Sequence, residues 1–234
     1  MTLAERYVEG AYAAANPTWH AEDSAWKAAQ INKILSRNAC QPKRIVEVGC
    51  GAGGVLSAVV EGLGSDAKGI GFDISPQAVS MAKSLERRNL QFWCADFIAH
   101  QEYRGYDLLL CIDVFEHIED YIGFLKQIQP RSDYFVFHIP LDMNIRGLLR
   151  KHHMDERRKV GHIHYFDSMS ALAALTDTGY QIVDHCYTPH PNPNRMMKSI
   201  ETCRKLVSMM TGEDFSVQLL GGASLLVLAR CPTR

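Results

Sequence analysis

The run Gly49-Cys50-Gly51-Ala52-Gly53-Gly54 places four glycines within six positions, directly after the β-branched stretch Arg44 to Val48. Glycines so placed let the chain turn sharply and let a ligand reach backbone N–H groups at the start of the helix that follows. Read as Gly49, Gly51 and Gly54, the spacing is the dinucleotide fingerprint G-x-G-x-x-G; read as Gly49, Gly51 and Gly53, it is G-x-G-x-G preceded by the acid Glu47. The loop alone does not choose between them. Two acids downstream do. Asp73 closes the next apolar run about twenty residues on, where a carboxylate accepts hydrogen bonds from ribose hydroxyls. Asp96 closes the third run, where it would accept from an adenine amino group while Phe97 covers the ring. Dehydrogenases share the first acid and do not usually show the second.

A second group of residues has the chemistry of proton transfer. Histidine titrates near neutrality and suits the removal of a hydroxyl proton. His117 follows Glu116 at the end of the fourth apolar run, and Gly161-His162-Ile163-His164 precedes a later helix, so His117, His162 and His164 are the candidate bases. Alternation would put His162 and His164 on one face. His117, His138, His162 and His164 with Glu116 are also metal-ligating types. Their spacing forms no metal motif, and no bound metal is expected.

These residues need a sheet to hold them. Seven short apolar or β-branched runs read as strands: Arg44 to Val48, Lys68 to Phe72, Leu90 to Cys94, Tyr106 to Ile112, Tyr134 to Ile139, Gln181 to Tyr187 and Ser224 to Ala229. Helix-period segments between them, Gly54 to Leu63, the stretch after Ser75-Pro76, Tyr121 to Gln129 and Asp167 to Thr178, are the crossovers of a parallel sheet. The fold class is α/β, a Rossmann-like three-layer sandwich whose mostly parallel seven-stranded sheet has an antiparallel last strand, the final two strands forming an edge hairpin. Residues 1–234 read as one domain with a cofactor-binding core over 44–139. Three segments fall outside the rhythm and are expected to roof the site. They are a helical cap over 1–40 carrying Trp19-His20 and Trp26-Lys27, an insertion at 140–165 rich in Arg, Lys and His, and a second at 188–215. The second opens with TPHPNPN and continues with Met196, Ile200, Cys203, Val207 and Met210 at helical spacing, beside Arg195, Lys198, Arg204 and Lys205.

Of the 234 residues, 25 are Lys or Arg and 26 are Asp or Glu, giving a formal net charge of −1. A nearly balanced surface argues against a nucleic-acid partner. No apolar run reaches the roughly 18 to 20 residues of a membrane span, and MTLAERYVEG has no signal-peptide pattern, so neither stable membrane insertion nor export is expected and the cytoplasm is. The seven cysteines form no CxxC pair and read as free thiols, with Cys50, Cys94 and Cys111 as small buried hydrophobes.

Glu47 to Gly53 (EVGCGAG), Gly71 to Ser75 (GFDIS), Ala95 to Phe97 (ADF) and Asp113 to Ile118 (DVFEHI) together resemble the class I S-adenosylmethionine-dependent methyltransferases. Within them the likeness leans toward the small-molecule branch that includes the ubiquinone-pathway O-methyltransferases, and it covers roughly residues 44–187. The resemblance implies S-adenosylmethionine as cofactor and S-adenosylhomocysteine as product. It places Gly49, Cys50, Gly51 and Gly53 along the methionine and ribose, and Glu47 behind the loop or near the amino group. Asp73 would hold the ribose, Ile74 would flank the adenine, Asp96 and Phe97 would contact the base, and Ile112 with Asp113 would border the methionine end. Methyl transfer to a hydroxyl oxygen of a small-molecule or glycan acceptor is the expected reaction, and the basic insertion favours an anionic acceptor. The alternatives are a non-catalytic cofactor-binding regulator and an NAD-dependent oxidoreductase.

Overall fold

A computed structural model describes residues 7–8, 10–19, 21–100, 105–190 and 195–231. His20, the 191–194 part of the second insertion, and the side chains of Arg195 and Met196 lie outside the described residues. The seven strands form one sheet: β1 Arg44–Val48, β2 Lys68–Asp73, β3 Leu90–Cys94, β4 Tyr106–Ile112, β5 Ser132–Pro140, β6 Gln181–Pro189 and β7 Ala223–Arg230. Their spatial order is β3-β2-β1-β4-β5-β7-β6. Strands β1 to β5 pair in parallel, and β7 runs antiparallel to both β5 and β6. The last two strands thus pair as a hairpin, with β7 on its inner side. Leu225 to Ala229 are completely buried there, while β6 alternates between exposed and half-buried positions over its first half, as an edge strand does.

The described helices are α1 Ala11–Ala15, α2 Ser24–Arg37, α3 Gly54–Leu63, α4 Pro76–Ala82, α5 Tyr121–Ile128, α6 Ile145–Leu149, α7 His152–Lys159, α8 Ser168–Asp177, α9 Arg195–Thr211 and α10 Glu213–Leu220. One apolar core joins α2, α3 and α4 to one face of the sheet through Ile31, Ile34, Leu56, Val59 and Phe92. The other joins α5, α8 and α10 to the opposite face through Leu125, Phe135, Phe137, Leu175 and Val217. Side-chain caps fix where these helices start. Ser75 accepts from the Ala78 N–H with Pro76 in the first turn, Asp120 accepts from Gly123, and Asp167 and Ser170 cap each other's backbone at α8. Cys50 and Cys111 are buried as expected, whereas Cys94 is exposed because the end of β3 lies at the sheet edge. Among the described residues, no helix is long and apolar enough to cross a membrane.

Buried Arg131 fastens the loop after β3. Its guanidinium donates to the carbonyls of Phe97 (2.6 Å), Ile98 (2.9 Å) and His100 (2.9 Å) and lies 4.6 Å from the Phe97 ring centre. The Arg131→Met variant leaves those carbonyls without their donor. It is expected to lose at least about 2 kcal/mol in urea denaturation, the scale of buried groups left unpaired; an unchanged midpoint would show that water replaces the guanidinium.

Candidate active site

The carboxyl ends of β1, β2, β4 and β5 open into a cavity of about 1380 Å³, roofed by the N-terminal cap and both insertions. Single small-molecule sites are commonly about 300 to 1,000 Å³. The cavity therefore has room for a nucleoside-sized group and a second molecule together.

Its first part is built by the glycine turn. The N–H groups of Gly49 and Cys50 both donate to the Phe72 carbonyl, at 2.8 and 3.0 Å, which hangs the turn on the end of β2. Gly51 has a positive φ of +52°, a conformation that favours glycine, and its N–H donates to Asp73 Oδ2 at 2.8 Å. The other oxygen of Asp73 accepts from the Ser75 N–H at 2.8 Å. Burial raises the Asp73 carboxyl, and these backbone donors oppose that rise. Behind the turn, Glu47 is 1% exposed and accepts from the Leu56 N–H at 3.1 Å, inside the first turn of α3. Burial pushes Glu47 up to about 8, against the Leu56 hydrogen bond and the charge of Lys27. Trp19 faces Gly51, with its ring 3.8 Å from where a side chain would begin. Gly49, Cys50, Gly51, Ile74, Asp96 and Ile112 line the same space. Three features fit an adenosyl group: a carboxylate fixed at the end of β2, a helix start that a ligand can approach, and an aromatic lid.

Two expected contacts are placed otherwise. Gly53 lies outside the cavity lining, because a Cβ there would sit 2.6 Å from Phe92 Cζ; it is a packing glycine at the start of α3. Phe97 borders the cavity, but its ring is only 2% exposed and packs on Phe72 at 5.1 Å and under Arg131, which leaves little of it to cover a base.

The second part is a polar wall. Asp113 has φ +55°, unusual for a residue other than glycine. It accepts from Lys27 Nζ at 2.7 Å and from His138 Nδ1 at 2.6 Å. Burial would raise the Asp113 carboxyl, but the charges of His138 and Lys27 and their hydrogen bonds outweigh it and hold it well below the usual carboxylate range. His162 Nδ1 pairs with Asp142 Oδ2 at 2.5 Å, both side chains being buried. Burial alone would lower the His162 imidazolium; the Asp142 hydrogen bond and the charges of Glu116 and Asp142 raise it above its usual value. The rings of His117 and His162 lie 4.9 Å apart, and Tyr7 Oη is 3.0 Å from His117 Nδ1. Glu116 is fully buried behind the cavity lining, and among the described residues neither carboxylate oxygen has a hydrogen-bond partner. Burial, then the charge of Asp113, raises its carboxyl. Glu116, His117 and His162 offer three ligand atoms within 4.8 Å of one another.

His164 does not join them. Its Nε2 lies 2.9 Å from the Ile118 carbonyl and its ring stacks edgewise on Tyr121, so it clamps the loop before α5 and lies outside the cavity lining. Alternation fails because 161–167 is not a strand: the Ile163 and His164 N–H groups both donate to the Glu116 carbonyl. On α9, Ile200 faces the cavity with Met197 and Arg204, while Cys203 and Met210 are exposed, so the apolar stripe is turned from the expected one. Lys27, His138, Asp142 and Arg204 are site residues without a sequence motif. The nearest signal was the clustering of His138 and Asp142 about Pro140, at the carboxyl end of a buried strand.

The fold and the turn define a Rossmann-like domain that binds a nucleoside-type ligand. A family profile described as "Methyltransferase domain" matches residues 19–185. The chain belongs to that family, whose methyl donor is S-adenosylmethionine. It is 34% identical over 116 residues to a ubiquinone biosynthesis O-methyltransferase of Burkholderia vietnamiensis, covering 46% of this chain and 48% of the relative. The chain thus spans about half the length of the curated relatives it matches. Its fold is similar to magnesium protoporphyrin IX methyltransferase of Synechocystis PCC 6803 in a structure with bound SAH (TM-score 0.61, 15% identity, 89% of this chain and 83% of the other). It is also similar to the N-methyltransferase NodS of Bradyrhizobium japonicum WM9 (TM-score 0.56, 14% identity, 88% and 87%).

The raised carboxyl of Glu47 gives a pH signature. Between the ordinary value of 4.5 and about 8 the folded chain holds a proton that the unfolded chain has lost. This contribution to stability is complete below 4.5 and is lost as pH rises through about 8. The ligand-free Glu47→Gln variant is therefore expected to gain melting temperature relative to wild type as pH rises from 5 to 8.5; parallel curves would place a normal carboxyl at position 47.

Proposed function

We propose that the chain transfers a methyl group from S-adenosylmethionine to a hydroxyl oxygen of a small-molecule acceptor. The observation that carries this reading is the buried Asp142–His162 pair on the cavity wall, beside His117. Asp142 accepts from Nδ1–H of His162, which fixes the ring and leaves Nε2 as the nitrogen that takes up a proton. When bound, S-adenosylmethionine supplies a methyl carbon made electrophilic by its sulfonium. The chain's own task is then alignment, proton removal and exclusion of water. Glu47, the glycine turn and Asp73 anchor the donor end; Trp19 and Trp26 roof the cavity. His162 takes the hydroxyl proton as the oxygen acquires the methyl. The name carried by the Burkholderia relative, an O-methyltransferase, agrees with oxygen as the nucleophile. The acceptor itself is not set by the fold.

A second reading of the same wall is favoured by Glu116. A buried carboxyl whose oxygens have no hydrogen-bond partner among the described residues, with His117 Nε2 3.9 Å from one of them and His162 beside it, fits a divalent cation. Glu116, His117 and His162 would hold it, with Asp142 behind His162 as the carboxylate that orients a ligating imidazole. A cation there would lower the pKa of a hydroxyl bound to it.

Incubation with methyl-labelled S-adenosylmethionine and a panel of phenols, alcohols and amines, read by mass spectrometry, is expected to yield methoxy products. Binding of the donor with transfer only to nitrogen or carbon would overturn the oxygen assignment. In that assay His162→Ala is expected to lose about 100-fold or more in kcat, the range of a general base. Because Asp142 raises His162, Asp142→Asn is expected to move the acidic limb of the kcat/KM profile to lower pH. Elemental analysis of protein dialysed against Mg²⁺, Mn²⁺ and Zn²⁺ separates the two readings. One equivalent bound to wild type and none to Glu116→Gln supports the cation, whereas full activity in a chelator leaves His162 as the base.

A further inference from the structure

At the far end of the cavity from the glycine turn, two guanidiniums meet one backbone turn. Arg146, on α6, donates from Nη1 to the Leu220 carbonyl at 3.4 Å. Arg204, on α9, donates from Nη1 to the Gly222 carbonyl at 3.1 Å and to that of Gly221 at 3.5 Å. Both line the cavity, as does Arg150 one turn beyond Arg146. Arg204 is only 8% exposed. Among the described residues no carboxylate lies within ion-pair distance of Arg146, Arg150 or Arg204.

The acids nearest in sequence are engaged elsewhere. Glu201 pairs with Lys205 at 3.0 Å, Asp142 with His162, and Asp155 with Arg158 at 2.6 Å. A guanidinium has five N–H donors, and for Arg204 the turn carbonyls engage only Nη1. Its Nε and Nη2 have no protein acceptor among the described residues. A buried charge without a counter-charge is costly unless something supplies one, and a guanidinium's planar fork matches an oxyanion. Burial and the neighbouring charge of Arg150 also lower Arg146, as uncompensated cations do to one another.

We infer that Arg146 and Arg204 form an oxyanion subsite in the acceptor end of the cavity, so that the hydroxyl to be methylated is carried by an organic carboxylate or phosphate. The inference rests on the hydroxyl-methylation reading only in calling the occupant the methyl acceptor. The subsite itself stands on the unpaired guanidiniums. It gives the cavity a direction: donor at the glycine turn, proton-accepting wall in the middle, and anion at the 220–222 turn.

Calorimetric titration of the S-adenosylhomocysteine-loaded protein with benzoate, phenyl phosphate and the neutral benzamide tests it. At least one anion is expected to bind about tenfold or more tightly than benzamide, the scale of a charged hydrogen bond. The benzoate and phenyl phosphate arms tell a carboxylate acceptor from a phosphate one. Arg146→Met and Arg204→Lys should bring the anions down toward benzamide while leaving S-adenosylhomocysteine affinity unchanged. The lysine keeps a charge at the buried position should the neutral variant fail to fold. Equal binding of anions and amide by wild type, or anion binding indifferent to both variants, would overturn the subsite. The same titrations on ligand-free protein separate the two readings: a chain that does not take up S-adenosylhomocysteine loses the methyl-transfer reading, and its anion preference still decides the subsite.

Discussion

The carboxylate of Asp113 ties the cap helix, β5 and, through His138, β6 to one point in the cavity wall. It accepts from Lys27 on α2 and from His138 on β5, and His138 Nε2 in turn lies 3.0 Å from Thr188 Oγ1 on β6. Trp26 packs edge-on against the same imidazole at 6.4 Å. The residue sits in left-handed backbone, which a non-glycine adopts at a cost of about 1 to 3 kcal/mol and keeps only when its surroundings hold it there. Exposed ion pairs contribute little. This one is largely shielded, so removing Lys27 would leave the Asp113 carboxylate without its lysine counter-charge. Lys27 thereby adds a polar tie to the apolar packing of α2 on the sheet through Ile31 and Ile34.

The same charge shapes the wall beyond it. Asp113 and Glu116 flank one short turn after β4, and Asp113's negative charge adds to burial in making Glu116 keep its proton. Behind the cavity wall this leaves a carboxyl without a hydrogen-bond partner at Glu116, and at Arg204 a guanidinium without an anion, among the described residues. Placed together, these two would have satisfied each other. The acids nearest Arg204 and on the wall are engaged instead with other partners, Asp142 with His162 and Glu201 with Lys205. Polar groups left unmatched in an otherwise consistent structure are where function is expected to sit.

The strand, turn and helix that frame the glycine loop were legible in the sequence because they are local. Strand, turn and helix follow one another over Arg44 to Leu63, and glycine spacing reports backbone shape directly. All seven strands were found from β-branched runs, their ends shifting by no more than two residues. Spacing alone does not tell a glycine that admits a ligand from one that, like Gly53, packs against Phe92. His164 was misread because period-two alternation holds only in a strand, and 161–167 is a loop pinned to the Glu116 carbonyl. Asp142, Lys27 and Arg204 act through partners distant in sequence, 86 residues in the case of Lys27 and Asp113. No one-dimensional pattern carries such a pairing.

That division bears on what the family likeness can say about specificity. The matching profile runs over 19–185, so it spans the glycine turn, Asp73, the polar wall and Arg146, and stops before α9 and Arg204. The turn that both arginines grip, 220–222, leads into β7, the strand inserted between β5 and the edge. The acceptor end is therefore framed by chain that folds back after the shared region is complete. A methyltransferase fold can keep its donor site intact while these returning elements change which acceptor is held. In this chain they bring a buried guanidinium, without an acid partner among the described residues, to the cavity, and the acceptor charge proposed above rests on that placement rather than on the family.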